Sequence, residues 1–312
     1  MDTQSGVAEL AHCMLCPREC GVDRLHGQKG VCGVPGQLLA ARASLHRWEE
    51  PCLSGSRGSG TVFFSGCGLG CIYCQNYSIS LEGQGVAMSV QDLADTFLKL
   101  QEQGAHNINL VTAVPYLPQV ILALERVKGQ SLTIPVIYNS SGYEKVESLR
   151  RLEGLVDIYL PDFKYMDAER ARRYSRAPDY PEVAKQALAE MVRQVPEARW
   201  DAQGMMQSGI IVRHLLLPGG REDSMAVVRY LFITYGHRIY MSLMNQYTPV
   251  YQGTEYPELH RRIRRREYER IVEYALSLGV ENAYIQEGAV AQESFIPAFD
   301  GTGLIRKEGG SC

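Results

Sequence analysis

Three cysteines of this sequence lie close together in a glycine-rich segment: Cys67, Cys71 and Cys74, with the spacing C-x3-C-x2-C. Three thiolates can hold three irons of a cubane [4Fe–4S] cluster and leave the fourth iron without a protein ligand. An open coordination position lets a metal bind a small molecule, as it does in catalytic zinc sites. The spacing therefore predicts an iron–sulfur centre that binds a small molecule.

The residues around these cysteines favour a cluster over isolated thiols. An apolar run at 60–64, rich in β-forming residues, comes directly before them. Gly66, Gly68 and Gly70 permit the positive φ angles that a backbone needs when it wraps a cluster. A structural zinc site or a group of redox thiols is the alternative, and the preceding strand and the glycines count against it.

Four more cysteines form a second group with the spacing C-x2-C-x3-C-x11-C: Cys13, Cys16, Cys20 and Cys32. Four thiolates at this spacing suit a structural zinc ion or a second iron–sulfur cluster that is fully ligated. The sequence leaves the choice between these metals open, and four unligated buried thiols are a further alternative. Cys52 and Cys312 lie outside both groups and are interpreted as ordinary residues, with Cys52 as a spare ligand candidate because it lies close in sequence.

Composition and charge exclude several classes of protein. The 312 residues are 45% hydrophobic and 21% charged, as in an enzyme with a sizeable core. A formal net charge of −3 provides no basic excess for nucleic acid. No signal peptide and no apolar stretch of about 18 residues is found, so we expect no membrane span. Seven of the nine cysteines fall in the two groups, which indicates metal in a reducing compartment, the cytoplasm.

Apolar strands alternate with amphipathic helices after Asn76. The predicted strands are 107–112, 134–139, 156–160, 210–217, 238–243 and 283–286, and the predicted helices are 90–103, 118–127, 144–152, 168–175, 181–194, 223–235 and 258–278. Ser89 and Asp92 predict a capping box at the first helix. The alternation indicates βαβ units and a parallel sheet, closed partly or fully into a barrel. The cysteine-rich loop would then lie at the carboxyl-terminal rim of the strands.

The spacing at 67–74 resembles the signature of the radical S-adenosylmethionine (radical SAM) superfamily, and Tyr73, the aromatic before the third cysteine, fits it. Other runs resemble the pyruvate formate-lyase activating enzyme-related (PflX-like) group: Cys16-Pro-Arg-Glu-Cys20, Asn107-Ile-Asn-Leu-Val-Thr112, Tyr138-Asn-Ser-Ser-Gly-Tyr143, Val156-Asp-Ile-Tyr-Leu-Pro-Asp-Phe-Lys-Tyr165, Val212-Arg-His and Ser242-Leu-Met-Asn-Gln-Tyr. The resemblance extends from about Cys13 to Gly303. It implies an α/β fold, the radical SAM partial (β/α)6 barrel, here with a cysteine-rich N-terminal extension. We expect the extension at 1–52 and the core barrel, with a C-terminal helix, at 53–312.

The resemblance also implies a reaction. A [4Fe–4S] cluster on Cys67, Cys71 and Cys74 would bind the amino and carboxylate groups of SAM and cleave it reductively to a 5′-deoxyadenosyl radical. That radical would abstract hydrogen from a protein glycine or a small metabolite. A flavodoxin- or ferredoxin-type protein would donate the electron.

Polar residues follow the predicted strands, where a barrel would turn them toward SAM. They are Asn139, Ser141, Asp162, Lys164 and Arg213. Asn139 and Ser141 suit a ribose or the substrate. Lys164 offers a charge for the SAM carboxylate, and Asp162 can accept from its ammonium group or hold the lysine. Arg213 can also meet a carboxylate. Ordinary polar loop residues are the alternative, because strand ends are mostly exposed.

One stretch departs from the family pattern. The family usually continues its Val-Thr with Pro-Thr-His-Tyr, whereas this chain has Ala113-Val-Pro-Tyr116 and lacks the histidine. If that histidine serves the substrate, this protein acts on a variant substrate.

Two other interpretations remain besides an activating-enzyme-like radical SAM enzyme. In one, both cysteine groups are structural and the protein carries electrons or scaffolds metal without cleaving SAM. In the other, it is a radical SAM enzyme of a different reaction type, and the N-terminal cysteines hold an auxiliary cluster near the substrate. Iron content separates them, because each cubane carries four irons.

Overall fold

A mixed sheet organises the chain. A computed structural model describes residues 7–286 and 297–305, and within them the sheet has ten strands. The strands are β1 Leu39–His46, β2 Ser59–Phe64, β3 Val86–Ala87, β4 Ile108–Val111, β5 Val136–Ser140, β6 Ile158–Pro161, β7 Arg199–Trp200, β8 Met206–Leu215, β9 Tyr240–Met244 and β10 Ala283–Ile285. Their order is β10-β9-β8-β6-β5-β4-β2-β1-β3, and β7 pairs with β8 outside this path.

Helices connect the strands. The α-helices are α1 Pro51–Ser54, α2 Tyr77–Ser80, α3 Val90–Glu102, α4 Leu117–Val127, α5 Val146–Arg150, α6 Ala168–Ser175, α7 Tyr180–Gln194, α8 Arg221–Tyr235 and α9 Arg265–Leu278. Short 3-10 turns occur at Ala8–His12, Val114–Tyr116, Gly236–Arg238 and Pro257–His260. No helix within the described ranges combines the length and apolarity needed to cross a bilayer.

The central strands run parallel in chain order. From β2 through β4, β5, β6, β8 and β9 to β10, each strand pairs in parallel with the next. The strand order never reverses between β2 and β10, so crossovers of the usual right-handed kind place the long helices on one face of the sheet. The mostly parallel α/β architecture predicted from sequence is therefore confirmed. In the described residues no strand pairing joins β10 to the β3 end, and closure into a barrel stays a prediction.

The two faces of the sheet follow from strand alternation. In β5, β6 and β8, one set of apolar residues packs in the large core with the helices. The alternate set, including Ile137, Ile158 and Ile211, packs around Leu53 of the short helix α1. Helix α1 thus covers part of the face opposite the long helices. Because Asn139 and Arg213 have the same parity as Ile137 and Ile211, their side chains emerge on that face.

Helix bounds agree with the sequence pattern where capping signals are strong. The Ser89–Asp92 capping box is present, and α3 begins at Val90 as predicted. The predicted helix at 258–278 is wrong over its first part: a 3-10 turn occupies Pro257–His260, and α9 begins only at Arg265. Glu267 accepts the backbone N–H of Arg264 and binds the guanidinium of Arg261, so Arg264 caps the helix and its first residue is Arg265.

Strand β1 was not predicted from sequence. It pairs antiparallel with β2, from Ala40 opposite Phe64 to His46 opposite Ser59. The division between an N-terminal extension and a core at residue 52 stays a prediction. Strand β1 lies before this division in the chain, yet it belongs to the same sheet as the core strands. Of the two cysteines outside both groups, Cys52 belongs to α1 and is buried in the same cluster as Leu53. Cys312 lies outside the described residues.

Candidate active site

The loop that carries Cys67, Cys71 and Cys74 leaves the carboxyl end of β2. Gly66 has φ +82° and Gly70 has φ +64°, as the sequence predicted for a wrapped loop, whereas Gly68 does not have a positive φ. A Cβ atom at Gly66 would also lie 2.7 Å from the Val34 side chain. Gly66 and Gly70 therefore meet a conformational requirement, and at Gly66 a steric one as well.

The three cysteines line one cavity of about 480 Å³. Every side chain predicted from sequence to contact the cofactor lines it too: Tyr73, Asn139, Ser141, Asp162, Lys164 and Arg213. These residues come from the loop after β2 and from the carboxyl-terminal parts of β5, β6 and β8, which a parallel sheet gathers on one rim. The size is that of a small-molecule site.

Hydroxyl groups donate to two of the three sulfur atoms. Ser175 Oγ donates to Cys71 Sγ at 3.0 Å, and Ser80 Oγ donates to Cys74 Sγ at 3.2 Å. Burial, with the nearby Cys71, raises the pKa of Cys67 to about 12, while the backbone N–H of Gly70 acts in the opposite direction. The hydroxyl and N–H donors partly offset the effect of burial, and they would stabilise the thiolates that form when a metal displaces the protons.

Three cysteine thiols line this cavity, and three thiolates are the donor set of a cubane cluster with one open iron. A cubane places its irons at separate corners, and each iron takes one thiolate. Three spaced cysteines on the wall of one cavity, two of them facing hydroxyl donors, therefore fit a [4Fe–4S] cluster.

A chain of hydroxyl groups leads from Tyr73 to Cys71. The hydroxyl oxygens of Tyr73 and Tyr165 are 2.6 Å apart, and that of Tyr165 is 2.8 Å from Ser175 Oγ. Ser175 in turn donates to Cys71. The chain fixes the ring of Tyr73 against the cavity wall, and sequence reasoning found its first and last members but not Tyr165 or Ser175.

Lys164 and Asp162 form an ion pair at the cavity, with Nζ 2.5 Å from Oδ2. Burial alone would lower the pKa of Lys164, but the Asp162 carboxylate outweighs it and the pKa is raised. Burial raises the pKa of Cys74, and the charge of Lys164 acts in the opposite direction. The ammonium group is thus a permanent positive charge next to the cysteine loop.

The loops after β5 and β6 are held together by Tyr180. Its hydroxyl donates to the Ser141 carbonyl at 2.9 Å and accepts the Lys164 backbone N–H at 2.9 Å. Gly142 has φ +74°, and a Cβ there would stand 2.2 Å from the Asp162 carbonyl oxygen. Only glycine allows these two loops to approach so closely.

Arg213 lines the cavity and lies between two glutamates. Its Nε donates to Glu50 Oε1 at 2.9 Å, its Nη2 donates to Glu50 Oε2 at 2.6 Å, and Nη2 also binds Glu49. Asn109 Nδ2 holds Glu49 Oε1 at 2.8 Å. Burial would raise the pKa of Glu50, but Arg213 outweighs it and the pKa is lowered. The glutamates follow the unpredicted strand β1, and no pattern in the sequence signalled them.

His214 points away from the cavity, as strand alternation requires. Its Nδ1 lies 2.7 Å from the Phe163 carbonyl oxygen and therefore carries the proton, so Nε2 accepts from Ser224 Oγ. Burial lowers the pKa of His214 to about 4. This neutral histidine belongs to the packing between β8 and α8.

The N-terminal cysteines meet at a separate place. Cys13, Cys16, Cys20 and Cys32 line a second cavity of about 20 Å³, together with Gly68, Val114 and Pro115. The two ends of the loop that departs from the family pattern therefore face different cavities. Thr112, with φ +60°, lines the large cavity, while Pro115, at the place of the family's histidine, faces the N-terminal cysteines.

The sequence model of the radical SAM superfamily matches residues 61–202 of the chain. Residues 61–202 form a radical SAM superfamily domain. It contains the three cysteines of the 67–74 loop and the predicted contacts from Tyr73 to Lys164, while Arg213 and the N-terminal cysteines lie outside it.

A longer likeness extends beyond the radical SAM domain. The chain is 27% identical over 281 residues to uncharacterized protein MJ0674 of Methanocaldococcus jannaschii, which covers 88% of this chain and 77% of that protein. The relative's name states no activity. It therefore adds neither a substrate nor the activating-enzyme subgroup to what the radical SAM domain shows.

Proposed function

We propose that this protein is a radical SAM enzyme that generates a 5′-deoxyadenosyl radical and abstracts hydrogen from a substrate. The observation that carries the proposal is one cavity lined by Cys67, Cys71, Cys74 and the Asp162–Lys164 pair, five residues that all belong to the radical SAM domain. When bound, the [4Fe–4S] cluster supplies one electron to SAM, which breaks into methionine and the 5′-deoxyadenosyl radical.

Different residues of the cavity bind different parts of SAM. Lys164 meets the SAM carboxylate as a fixed positive charge, and Asp162 orients the lysine and accepts from the ammonium group. Asn139 and Ser141 provide amide and hydroxyl groups for the ribose. Arg213 has Nε and Nη2 bound to glutamates, so its contribution to ligand binding falls to Nη1.

The proposal extends to partners and location. A flavodoxin- or ferredoxin-type protein supplies the electron, and the substrate is a protein glycine, as for glycyl-radical-enzyme activases, or a small molecule. The eight cysteines in the described residues are all free thiols, which supports a reducing compartment, the cytoplasm. The net charge of −3 argues against nucleic acid as a partner, because no basic excess is present to neutralise phosphates.

The test is product formation by the anaerobically reconstituted protein. With dithionite and SAM, the wild type should yield 5′-deoxyadenosine, measured by chromatography, and Cys71→Ala should yield none. Cys52→Ala is the matched control, because Cys52 is a buried cysteine outside both groups. If Cys71→Ala still cleaves SAM, the proposal is wrong; a wild type with about four irons per chain but no product would favour an electron carrier.

A further inference from the structure

Arg24 is a buried arginine without a carboxylate partner among residues 7–286 and 297–305. The residue is 1% exposed. Nη1 donates to the Pro115 carbonyl at 2.6 Å, Nη2 donates to the Pro35 carbonyl at 2.8 Å, and Nε has no hydrogen-bond partner in this part of the chain. A charge taken out of water and met only by neutral groups is costly. The fold therefore calls for a negative charge near Arg24.

The N-terminal cysteines are the groups that can supply that charge. Arg24 lines the cavity of about 20 Å³ together with Cys13, Cys16, Cys20 and Cys32. Its Nη1 lies 3.6 Å from Cys13 Sγ, and the backbone N–H of Val31 lies 3.4 Å from Cys20 Sγ. Both contacts direct positive charge at sulfur, as thiolates require.

We propose that these four cysteines bind one zinc ion as a tetrathiolate, and that Arg24 offsets part of its charge. On binding, the four thiols release four protons to solvent and form four sulfur–zinc bonds. Zn²⁺ with four thiolates carries two excess negative charges, and the guanidinium of Arg24 compensates one of them. No other group in the described residues gives the buried arginine an anion.

The size of the cavity selects a single ion over a second cubane. A space of about 20 Å³ is little more than a water molecule requires, whereas a cubane has eight inorganic atoms. In their present positions the four thiols do not converge closely enough to hold an ion, so their side chains must turn inward on binding. Four cysteines without an open position make the site structural.

The zinc site would support the loop of the other cysteine group. A Cβ atom placed on Gly68 would lie 3.2 Å from Cys16 Sγ, so Cys16 packs against the backbone next to Cys67. The proposal nevertheless stands apart from the proposed enzymatic activity, because zinc content and SAM cleavage are measured separately.

The first test counts metals in the full-length protein, produced with zinc supplied and reconstituted with iron. We expect about one zinc per chain in the wild type and in Cys71→Ala, and loss of that zinc with retention of about four irons in Cys20→Ser and Cys32→Ser. About eight irons and no zinc in the wild type would overturn the proposal in favour of an auxiliary cluster. Zinc that persists in both serine variants would overturn it too.

The second test uses Co²⁺ as a spectroscopic probe and avoids removal of a ligand. Co²⁺ added to metal-free protein should give the absorption of a tetrahedral thiolate site, and zinc should displace it. Arg24→Gln should weaken zinc binding by about 10- to 100-fold, the usual effect of a residue that supports metal ligands. Arg265→Gln, an exposed arginine paired with Glu269, should leave it unchanged. Equal affinity in both arginine variants would contradict the role of Arg24.

Discussion

Cys16 lies directly against Gly68, with the sulfur 3.2 Å from the position of a Cβ on that glycine. The contact joins the two cysteine groups, which are far apart in sequence. Gly66 shows the same closeness, because a Cβ there would lie 2.8 Å from the Cys32 carbonyl oxygen. The N-terminal cysteines therefore form one wall of the loop that carries Cys67.

Arg18 strengthens this contact. Its guanidinium donates to the carbonyls of Gly68 and Leu69 on one side and to those of Ser175 and Arg176 on the other. We expect Arg18→Gln to lower the free energy of unfolding by about 1.5–3 kcal/mol, since charged hydrogen bonds are lost. Iron should also leave faster when a chelator is added anaerobically.

The control for Arg18 is Arg172→Gln, which removes an exposed arginine paired with Glu169. That variant should match the wild type in unfolding and in iron release, because exposed ion pairs contribute little. Iron release from Arg18→Gln at the wild-type rate would show that Arg18 does not position the cluster loop.

Sequence reasoning succeeded where one local signal determined the outcome. The helix α6, Ala168–Ser175, begins and ends at the predicted residues, and Asp167 caps it. Continuous apolar runs identified the parallel strands, since such strands are buried on both faces. Once the strands were parallel, their carboxyl ends had to share a rim, which brought Asp162, Lys164 and Arg213 to one cavity.

It failed where tertiary contacts determined the outcome. Strand β1 is rich in alanine and weakly β-forming, and it is a strand only because β2 pairs with it. Without β1, nothing in the sequence connected Glu49 and Glu50 with Arg213. Arg24 carries no local signal either, because its contacts with Pro35 and Pro115 arise from the folded arrangement of distant segments.

Gly142 should be the least replaceable of the positive-φ glycines near the cavity. In Gly142→Ala the new methyl carbon would lie 2.2 Å from the Asp162 carbonyl oxygen, which is backbone and cannot turn aside. We expect a loss of about 2–5 kcal/mol in the free energy of unfolding, the sum of left-handed strain and overpacking. Urea unfolding measures it.

Gly154→Ala is the matched control. Gly154 has φ +79°, close to that of Gly142, but nothing lies within 4 Å of its Cβ position. It should lose only about 1–2 kcal/mol from the left-handed conformation. Equal losses in the two variants would mean that the loops after β5 and β6 do not depend on their close approach.

Lys164→Met tests the contribution of the cavity's fixed charge to SAM binding. We expect SAM affinity, measured by equilibrium binding, to fall about 10- to 100-fold, the value of one hydrogen bond to a charged group. Because the pKa of Lys164 is raised, its charge persists as pH rises past the usual lysine range. This contribution should therefore not change between about pH 6 and 9. Lys29→Met, at an exposed lysine, should bind SAM as the wild type does.

His214 should make the protein less stable in mild acid. The pKa of His214 is lowered to about 4 in the folded state, from 6.5, because burial disfavours the charged imidazole. Below about pH 6.5 His214 is protonated in the unfolded chain but not in the folded chain. The free energy of unfolding therefore decreases as the pH is lowered from about 6.5 to about 4. The slope is at most about 1.4 kcal/mol per pH unit, and the whole loss is about 3 kcal/mol.

The variant His214→Asn separates this titration from the rest. Its amide can still donate to the Phe163 carbonyl, while the bond from Ser224 is lost, so we expect lower stability than wild type near pH 8. Between pH 6.5 and 5, however, its free energy of unfolding should fall less steeply than that of the wild type. His237→Asn, at an exposed histidine, should keep the wild-type slope. If His214→Asn also had the wild-type slope between pH 6.5 and 5, protonation of His214 would not be the cause of the lower stability in acid.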